Sequence, residues 1–316
     1  MTIGAIKVTI MIPTYNQASY IREAVDSALG QTYPNLEVIV GDDASSDGTQ
    51  EILAKINDPR FNYVRNFSNL GRVANYRNLL FNHSNGDYVV NLDGDDYYTA
   101  DNFISEAVSC LGNKKVEVVM VVARATRKSR DSEWTSEIPK ISECTGLEIL
   151  TKLPQKKYMM MHMAVLFSRK HALEMGFYEV DAISSDWESL FRLSLRGVVR
   201  FLNMNVGVWR IHEMNETGTT DAVKHLKNLT IWTSIYKESI TFGMDPIVAN
   251  LTCARCIAYF AQSSCVIMSK DGNMKLIKFL LSFFKCYKLA ALLLVLTPSY
   301  SLRLILCLIG YYRQKA

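Results

Sequence analysis

Tyr88-Val-Val-Asn-Leu-Asp-Gly-Asp-Asp96 joins a short apolar, β-branched run to three carboxylates within four residues. The apolar half reads as a buried strand. The acidic half follows it at once, so the charges stand at a strand's carboxyl end. Three carboxylates so close repel one another, and a cation would relieve them. Oxygen donors without cysteine select a hard ion, Mn2+ or Mg2+. Such ions keep positions open for phosphate oxygens, which makes a diphosphate the natural co-ligand.

Outward from this stretch, the first hundred residues alternate between two patterns. Apolar runs at Val8–Ile12, Leu36–Val40 and Phe61–Val64 read as strands, and Ser19–Leu29, Asp47–Ile56 and Val73–Phe81 carry helical periodicity. Ser19 and Asp47 are the expected N-caps. Strand–helix–strand repetition implies parallel strands with crossover helices, so the fold class is α/β, a doubly wound, mostly parallel sheet. Ligands of such sheets bind where the strands end. The first strand leads into Pro13-Thr14-Tyr15-Asn16, with Pro13 expected to stop it and Tyr15 able to stack on a nucleoside. The second leads into Asp42-Asp43, adjacent carboxylates that are costly unless something is bound. One of them suits the imide N–H of a pyrimidine base.

Beyond residue 100 the pattern is mixed. Val116–Ala123 and Met159–Phe167 read as strands and Asp186–Leu195 as an amphipathic helix. After Thr220 the chain is helical and increasingly apolar. Residues 1–223 hold 23 Lys and Arg against 28 Asp and Glu, a net of −5, and residues 224–316 hold 12 against 3, a net of +9. The basic end calls for an anionic partner. In 275–288 the residues Lys275, Lys278, Ser282 and Lys285 form a polar stripe beside Leu, Ile and Phe, the pattern of a helix lying in the headgroups of an anionic membrane. Lysines set among Phe and Leu speak against nucleic acid. Pro298 and Arg303 interrupt the remaining apolar length, so neither piece reaches a span. Seven scattered cysteines form no disulfide framework. Cys253 and Cys256, a lone CxxC in an apolar stretch, read as packed thiols. The start of the chain shows no signal-peptide pattern, and the expected location is the cytoplasmic face of a membrane.

Pro13-Thr14-Tyr15-Asn16, the Asp42-Asp43 loop, Asn69-Leu70-Gly71 before Asn78, Gly86-Asp87-Tyr88 and Asp93-Gly94-Asp95-Asp96 together resemble the family 2 glycosyltransferases of the GT-A fold. The resemblance is dense over 7–101, thinner to about 215, and absent from the basic end. It implies a nucleotide-sugar-binding half at 1–100 and an acceptor-binding half at 101–223; the basic, apolar pattern of 224–316 reads as a helical, membrane-associating region. It implies that Pro13, Tyr15 and Asn78 line the nucleotide-sugar site and that Asp43 accepts a hydrogen bond from the base. Asp93 would lie near the ribose, Asp95 would ligate the metal with Asp93 as further donor, and Asp96 would stand behind. The family's catalytic base maps to Ser185-Asp186, where many members carry Glu-Asp, leaving Asp186 as the base and Glu188 as the fallback. Trp209-Arg210-Ile211-His212 resembles the family's aromatic-Arg-x-His segment, with Arg210 near the leaving group and His212 near the metal. The Gln-x-x-Arg-Trp motif of processive synthases is missing, which implies transfer of a single sugar.

The implied activity is metal-dependent, inverting transfer of a hexosyl or N-acetylhexosaminyl group from a nucleotide-diphosphate sugar. A UDP-sugar is favoured as donor and a lipid-linked saccharide as acceptor, in O-antigen- or capsule-like biosynthesis. Two alternatives stay open: a sugar nucleotidyltransferase, which should carry a Gly-rich basic loop after the first strand, and a nucleotide-sugar-binding protein without catalysis.

Overall fold

The computed structural model describes residues 6–112, 116–152, 160–213, 215–270 and 273–308, which fall into two compact units. The first comprises 1–149, 157–181 and 189–211; the second comprises 150–156, 182–188 and 212–316.

In chain order the elements are β1 (Val8–Thr14), α1 (Ile21–Leu29), β2 (Leu36–Asp42), α2 (Thr49–Leu53), β3 (Phe61–Arg65), α3 (Arg72–Asn78) and β4 (Tyr88–Asn91). There follow β5 (Tyr97–Tyr98), α4 (Phe103–Cys110), β6 (Val118–Lys128), β7 (Glu133–Thr135), β8 (Glu143–Thr145), α5 (Gly146–Lys152), β9 (Val165–Ser168), α6 (Arg169–Glu174), α7 (Ser185–Ser194) and β10 (Val198–Arg210).

The strands form one sheet in the order β3-β2-β1-β4-β9-β6-β10-β5, with β7 on β6 and β8 on β10. Pairing among β1, β2, β3 and β4 is parallel, as is β6 with β10. The strand β9 runs antiparallel between β4 and β6, which the apolar pattern alone did not reveal. Its run is shorter than expected: a 3-10 turn at His162–Ala164 precedes it, and Met159 lies outside the described residues.

Local physics moves several expected boundaries. Strand β1 continues through Pro13 to Thr14, because β4 stops pairing at Met11↔Asn91 while β2 pairs on to Thr14↔Asp42. Pro13 therefore stands where no ladder bond is asked of its nitrogen. Helix α1 starts at Ile21 rather than Ser19, its first turn tied by Tyr20 N and Ile21 N to Gln17 O without a side-chain cap. Asp47 serves α2 from one residue further out: Gly48 is the cap, and Asp47 Oδ1 accepts from Thr49 N and Thr49 Oγ1. Helix α3 stops at Asn78 and runs on as a π-helical turn, Leu79–His83.

At the amino end of β2, Glu37 is 6% exposed. Its Oε1 accepts from Thr9 Oγ1 at 2.5 Å and Asn85 N at 2.7 Å, and its Oε2 from Lys7 Nζ at 2.5 Å. Thr9 Oγ1 in turn accepts from Gly86 N at 2.8 Å. A Cβ on Gly86 would stand 2.6 Å from Thr9 N and from Tyr88 O, so only glycine lets the chain enter β4 here.

The second unit carries α8 (Ala222–Thr241), α9 (Pro246–Lys270), α10 (Asn273–Cys286), α11 (Lys288–Leu296) and α12 (Pro298–Leu308). Helix α9, with α8, α10, α11 and α12 packed on it, is the one described helix long and apolar enough to cross a membrane. Of its most apolar 18-residue window, 56% is buried inside the protein, as for a core helix. Trp187, Trp232 and Phe260 pack edge to face or tilted within this unit. All seven cysteines are free thiols; Cys256 is buried and Cys253 half-buried.

Burial alone would push the Glu37 carboxyl up, but hydrogen bonds from Lys7, Thr9 and Asn85 outweigh it and hold it below the usual range. A depressed folded value contributes stability that is complete above the unfolded-chain value, about 4.3, and is lost as pH falls through the folded one. Glu37→Gln should cost about 1–3 kcal/mol at neutral pH. The gap from wild type in urea unfolding should close as pH drops below about 4. Equal midpoints at pH 7 would show that the three donors do not need the charge.

Candidate active site

The carboxyl ends of β1, β2 and β4 bring three loops together in the first unit. Asn16, at φ 52°, accepts from Ser46 N through Oδ1 and donates its own N–H to Ser45 Oγ. Ala18 N donates to Asp47 Oδ2 at 2.8 Å, so the loop after β1 is laced to the loop after β2. Pro13 is buried and Tyr15 is 49% exposed on this edge.

The Asp42-Asp43 pair is satisfied from within. Asp42 is fully buried; Oδ1 accepts from Ser45 N, and Oδ2 accepts from Tyr63 Oη and Arg65 Nη1, each at 2.7 Å. Asp43 Oδ1 accepts from Asn66 Nδ2 and Leu70 N, each at 2.8 Å, and Oδ2 from Gly71 N at 2.9 Å. No ligand is therefore required to explain the adjacent charges, contrary to the electrostatic expectation. Of about four acceptor positions on the Asp43 carboxylate, three are taken, and the one left over is on Oδ2.

Asn78 stands one bond behind this. Its Nδ2 donates to Asn66 Oδ1 and its Oδ1 accepts from Asn82 Nδ2. Asn66 also donates to Asn75 Oδ1, and Asn75 donates to Gly41 O. With both amide atoms engaged, Asn78 supports the loop that Asp43 holds.

The acidic turn after β4 folds around Gly94. A Cβ there would lie 2.5 Å from Gln17 Oε1 and 2.9 Å from Thr14 Oγ1, and Gly94 N donates to Pro13 O. Asp93 is half-buried; its Oδ1 accepts from Tyr76 Oη at 2.7 Å and Asn91 Nδ2 at 2.9 Å, and its Oδ2 has no partner among the described residues. Burial, then the Asp93 charge, pushes the Tyr76 hydroxyl well above its usual range and keeps it a donor. Asp96 turns inward and accepts from Arg210 N at 2.9 Å. Burial first, then the charges of Asp95 and Asp93, pushes its carboxyl well above the carboxylate range.

Arg210 braces the same turn. Its Nη1 donates to Asp95 O at 2.8 Å, its Nη2 pairs with Glu23 Oε2, and its guanidinium lies 4.2 Å from the Tyr97 ring centroid. Nothing in the sequence pointed to Glu23, which lies 187 residues away. Tyr76, in the Asn75-Tyr76-Arg77-Asn78 run, and His162, alone in a methionine-rich run, were also missed. A polar ring inside an apolar or amide-rich stretch is the signal that could have found them.

Among the described residues no three His, Cys, Asp or Glu side chains converge into a self-sufficient metal cage. The donor set at the turn still fits a hard cation. Mg2+ and Mn2+ are commonly held by one or two carboxylates, with water and phosphate oxygens completing the shell. At this turn Asp93 Oδ2 has no partner among the described residues and Asp95 stands two residues along, so two carboxylates are at hand for such an ion.

Asp186 and His212 belong to the second unit. Asp186 is half-buried in the first turn of α7. Glu188 is fully buried, and its Oε1 accepts from Ser234 Oγ at 2.7 Å, a structural anchor rather than an accessible proton acceptor. His212 is half-buried, and its backbone N–H donates to Asn215 Oδ1.

A family model described as glycosyl transferase family 2 matches residues 9–176. Over 109 residues the chain is 38% identical to UDP-Glc:alpha-D-GlcNAc-diphosphoundecaprenol beta-1,3-glucosyltransferase WfaP of Escherichia coli, which covers 34% of this chain and 43% of that one. Over 200 residues it is 30% identical to a chondroitin synthase of Escherichia coli, covering 62% of this chain and 28% of that one. The chain thus spans less than half the length of these relatives. Residues 1–349 of S. aureus TarS, solved in complex with UDP-GlcNAc, share the fold with a TM-score of 0.70 at 17% identity, covering 98% of this chain and 91% of that one. The mannosyltransferase PcManGT from Pyrobaculum calidifontis, in complex with GDP-Man and Mn2+, gives 0.58 at 20% identity, with 98% and 86% covered. The sheet is of the GT-A kind, the matched model takes in the acidic turn with every loop laced around it, and the chain belongs to glycosyl transferase family 2.

Proposed function

We propose that this chain transfers one sugar, with inversion, from a nucleotide-diphosphate sugar to a hydroxyl of a lipid-linked saccharide, in assembly of a bacterial surface polysaccharide. The observation that carries it is the acidic turn after β4. The carboxylates of Asp42, Asp43 and Asp96 are met by donors of the protein itself, while Asp93 keeps Oδ2 open beside Asp95. A UDP-sugar is the favoured donor, supported by the UDP-GlcNAc complex of TarS and by the UDP-Glc-dependent activity of WfaP. The latter also supports a diphospholipid acceptor.

In this reading the exposed ring of Tyr15 stacks on the base, Pro13 backs the pocket floor, and the remaining acceptor position of Asp43 reads the base N–H. Asp93 Oδ2 faces the ribose. Mg2+ or Mn2+, held by Asp95 with Asp93 and His212, would offset the charge that grows on the departing diphosphate. Arg210 keeps the turn rigid, so that its carboxylates need not reorganise during reaction. Asp186 takes the proton of the acceptor hydroxyl as it attacks the anomeric carbon. Residues 1–100 serve the donor, 101–223 the acceptor, and 224–316 hold the enzyme to the cytoplasmic face of the membrane.

The last assignment is supported by α10. Leu276, Phe279, Leu280 and Phe283 are buried, whereas Met274, Ile277, Leu281 and Phe284 are exposed beside exposed Lys278 and Lys285. Helices α10 and α11 meet at a bend of 119°, too sharp for one straight span.

Asp186→Asn should bind UDP as wild type does and turn over about 10²–10⁴-fold slower, read as UDP release with a polyprenyl-diphosphate saccharide acceptor. Normal turnover in this variant, with loss in Glu188→Gln, would move the base two residues along. UDP affinity indifferent both to EDTA and to Asp95→Ala would sink the metal assignment.

Replacing Lys278 and Lys285 by Glu should weaken sedimentation with anionic vesicles by about tenfold or more, since each lysine at such a surface is worth ~1 kcal/mol. Equal binding of wild type to anionic and neutral vesicles would reject the electrostatic part.

A further inference from the structure

The first unit holds a chain of polar side chains behind the acidic turn that the reading above does not use. Asn91 Nδ2 donates to Asp93 Oδ1 at 2.9 Å and lies 3.2 Å from His162 Nδ1. His162 Nε2 lies 2.6 Å from Tyr178 Oη. Because the amide presents N–H groups to both neighbours, Nδ1 of the imidazole is the acceptor and Nε2 carries the hydrogen. Turning the amide over would set its oxygen against the Asp93 carboxylate, so the orientation is forced.

Asn91 is fully buried, and its Oδ1 has no hydrogen-bond partner among the described residues. An orphaned buried carbonyl is a cost to the fold that a valine at this strand position would not incur. What asparagine alone supplies is a fork of two N–H groups, one for Asp93 and one for His162. The imidazole is held by rings: Tyr76 and Tyr178 stand 5.5 and 5.8 Å from it, centroid to centroid. Tyr178 adopts φ 59°, a left-handed conformation uncommon for an aromatic residue, and its N–H is fixed by Ser189 Oγ at 2.9 Å.

We propose that His162 is a positioning residue for the nucleotide site: through Asn91 it fixes the rotamer of Asp93 and so aims the open Oδ2 at the ribose of a nucleoside diphosphate. The proposal rests on the reading of Asp93 as a nucleotide contact. Tyr76 and Asn91 both bind Oδ1, which leaves Oδ2 a single direction. Removing the acceptor behind Asn91 frees the amide to rotate, and the carboxylate with it.

Two substitutions separate the two ends of the imidazole. His162→Asn keeps an acceptor oxygen where Nδ1 stands and loses the bond to Tyr178; His162→Gln keeps a donor near Tyr178 and loses the acceptor for Asn91. The full chain is titrated calorimetrically with UDP, GDP and dTDP in Mn2+ buffer, and the tightest of the three is carried through the variants, with thermal unfolding measured alongside. His162→Gln should bind about tenfold or more weakly, the range for one lost hydrogen bond to a charged site, and His162→Asn within about threefold of wild type. Wild-type affinity in His162→Gln, or an equal loss in both variants in step with their melting temperatures, overturns the positioning role. Asp93→Asn in the same titration tells the two readings apart: unchanged affinity there brings down the nucleotide contact itself, whereas a loss there with none in His162→Gln brings down the positioning role alone.

Discussion

A carboxylate at the end of a buried strand must find donors, and the arrangement of this sheet follows from how each one does. Leaving one unpaired in a low dielectric costs several kcal/mol or drives it to protonate. Asp42 is met by Arg65 and Tyr63 from the neighbouring strand β3, and Asp43 by the backbone of the loop before α3. At the other end of β2, Glu37 is met by Lys7 and Thr9 of the β1 segment and by the turn into β4. Each solution ties two strand ends together, so the parallel register of β1, β2 and β4 and the placement of the loops are the same fact seen twice. Once these charges are neutralised internally, the oxygens left near β4 are where an external charge is wanted.

Much of this was legible in the residues. Apolar runs of four or five residues marked β1 to β4, helical spacing marked α1 to α3, and the acidic residues stood where strands end. What was illegible depends on partners distant in the chain. Asp42 looked like a ligand-binding charge only because Arg65 and Tyr63 could not be seen beside it. The brace that Arg210 forms was hidden because its partner Glu23 lies at the far end of the sequence. Pro13 looked like a strand terminator because the loss of pairing on one side of β1 is a property of the sheet, not of the proline. The reversed direction of β9 was hidden for the same reason: an apolar run shows burial, not polarity of pairing.

The site also shows how rigidity and openness are divided. Asn66, Asn75 and Asn78 form a chain of amides running back to Gly41 O, and Arg210 stitches Asp95 and Asp96 to α1 through Glu23. Amides suit this work because each offers donor and acceptor in a plane, so a network of them satisfies itself without net charge. Preorganised carboxylates reorganise little when a ligand charge arrives, which is the condition under which electrostatic stabilisation is strongest.

The helical unit obeys the opposite economy, in which apolar rather than polar groups are left outside. Helix α9 is long enough to span a bilayer, yet the helices packed on it cover more than half of its most apolar window. Further uncovered apolar residues lie on α10, α11 and α12: Leu281, Leu289, Leu292, Leu296, Leu302 and Ile305 are all at least 45% exposed. On α10 the inward face is already filled by Phe279 and Phe283, so the exposed Leu and Ile form a second apolar face, with Lys278 and Lys285 along its margin. Two apolar faces on one amphipathic helix need two apolar environments. The protein core supplies the first, and the proposed membrane surface, oily within and anionic at its edge, would supply the second.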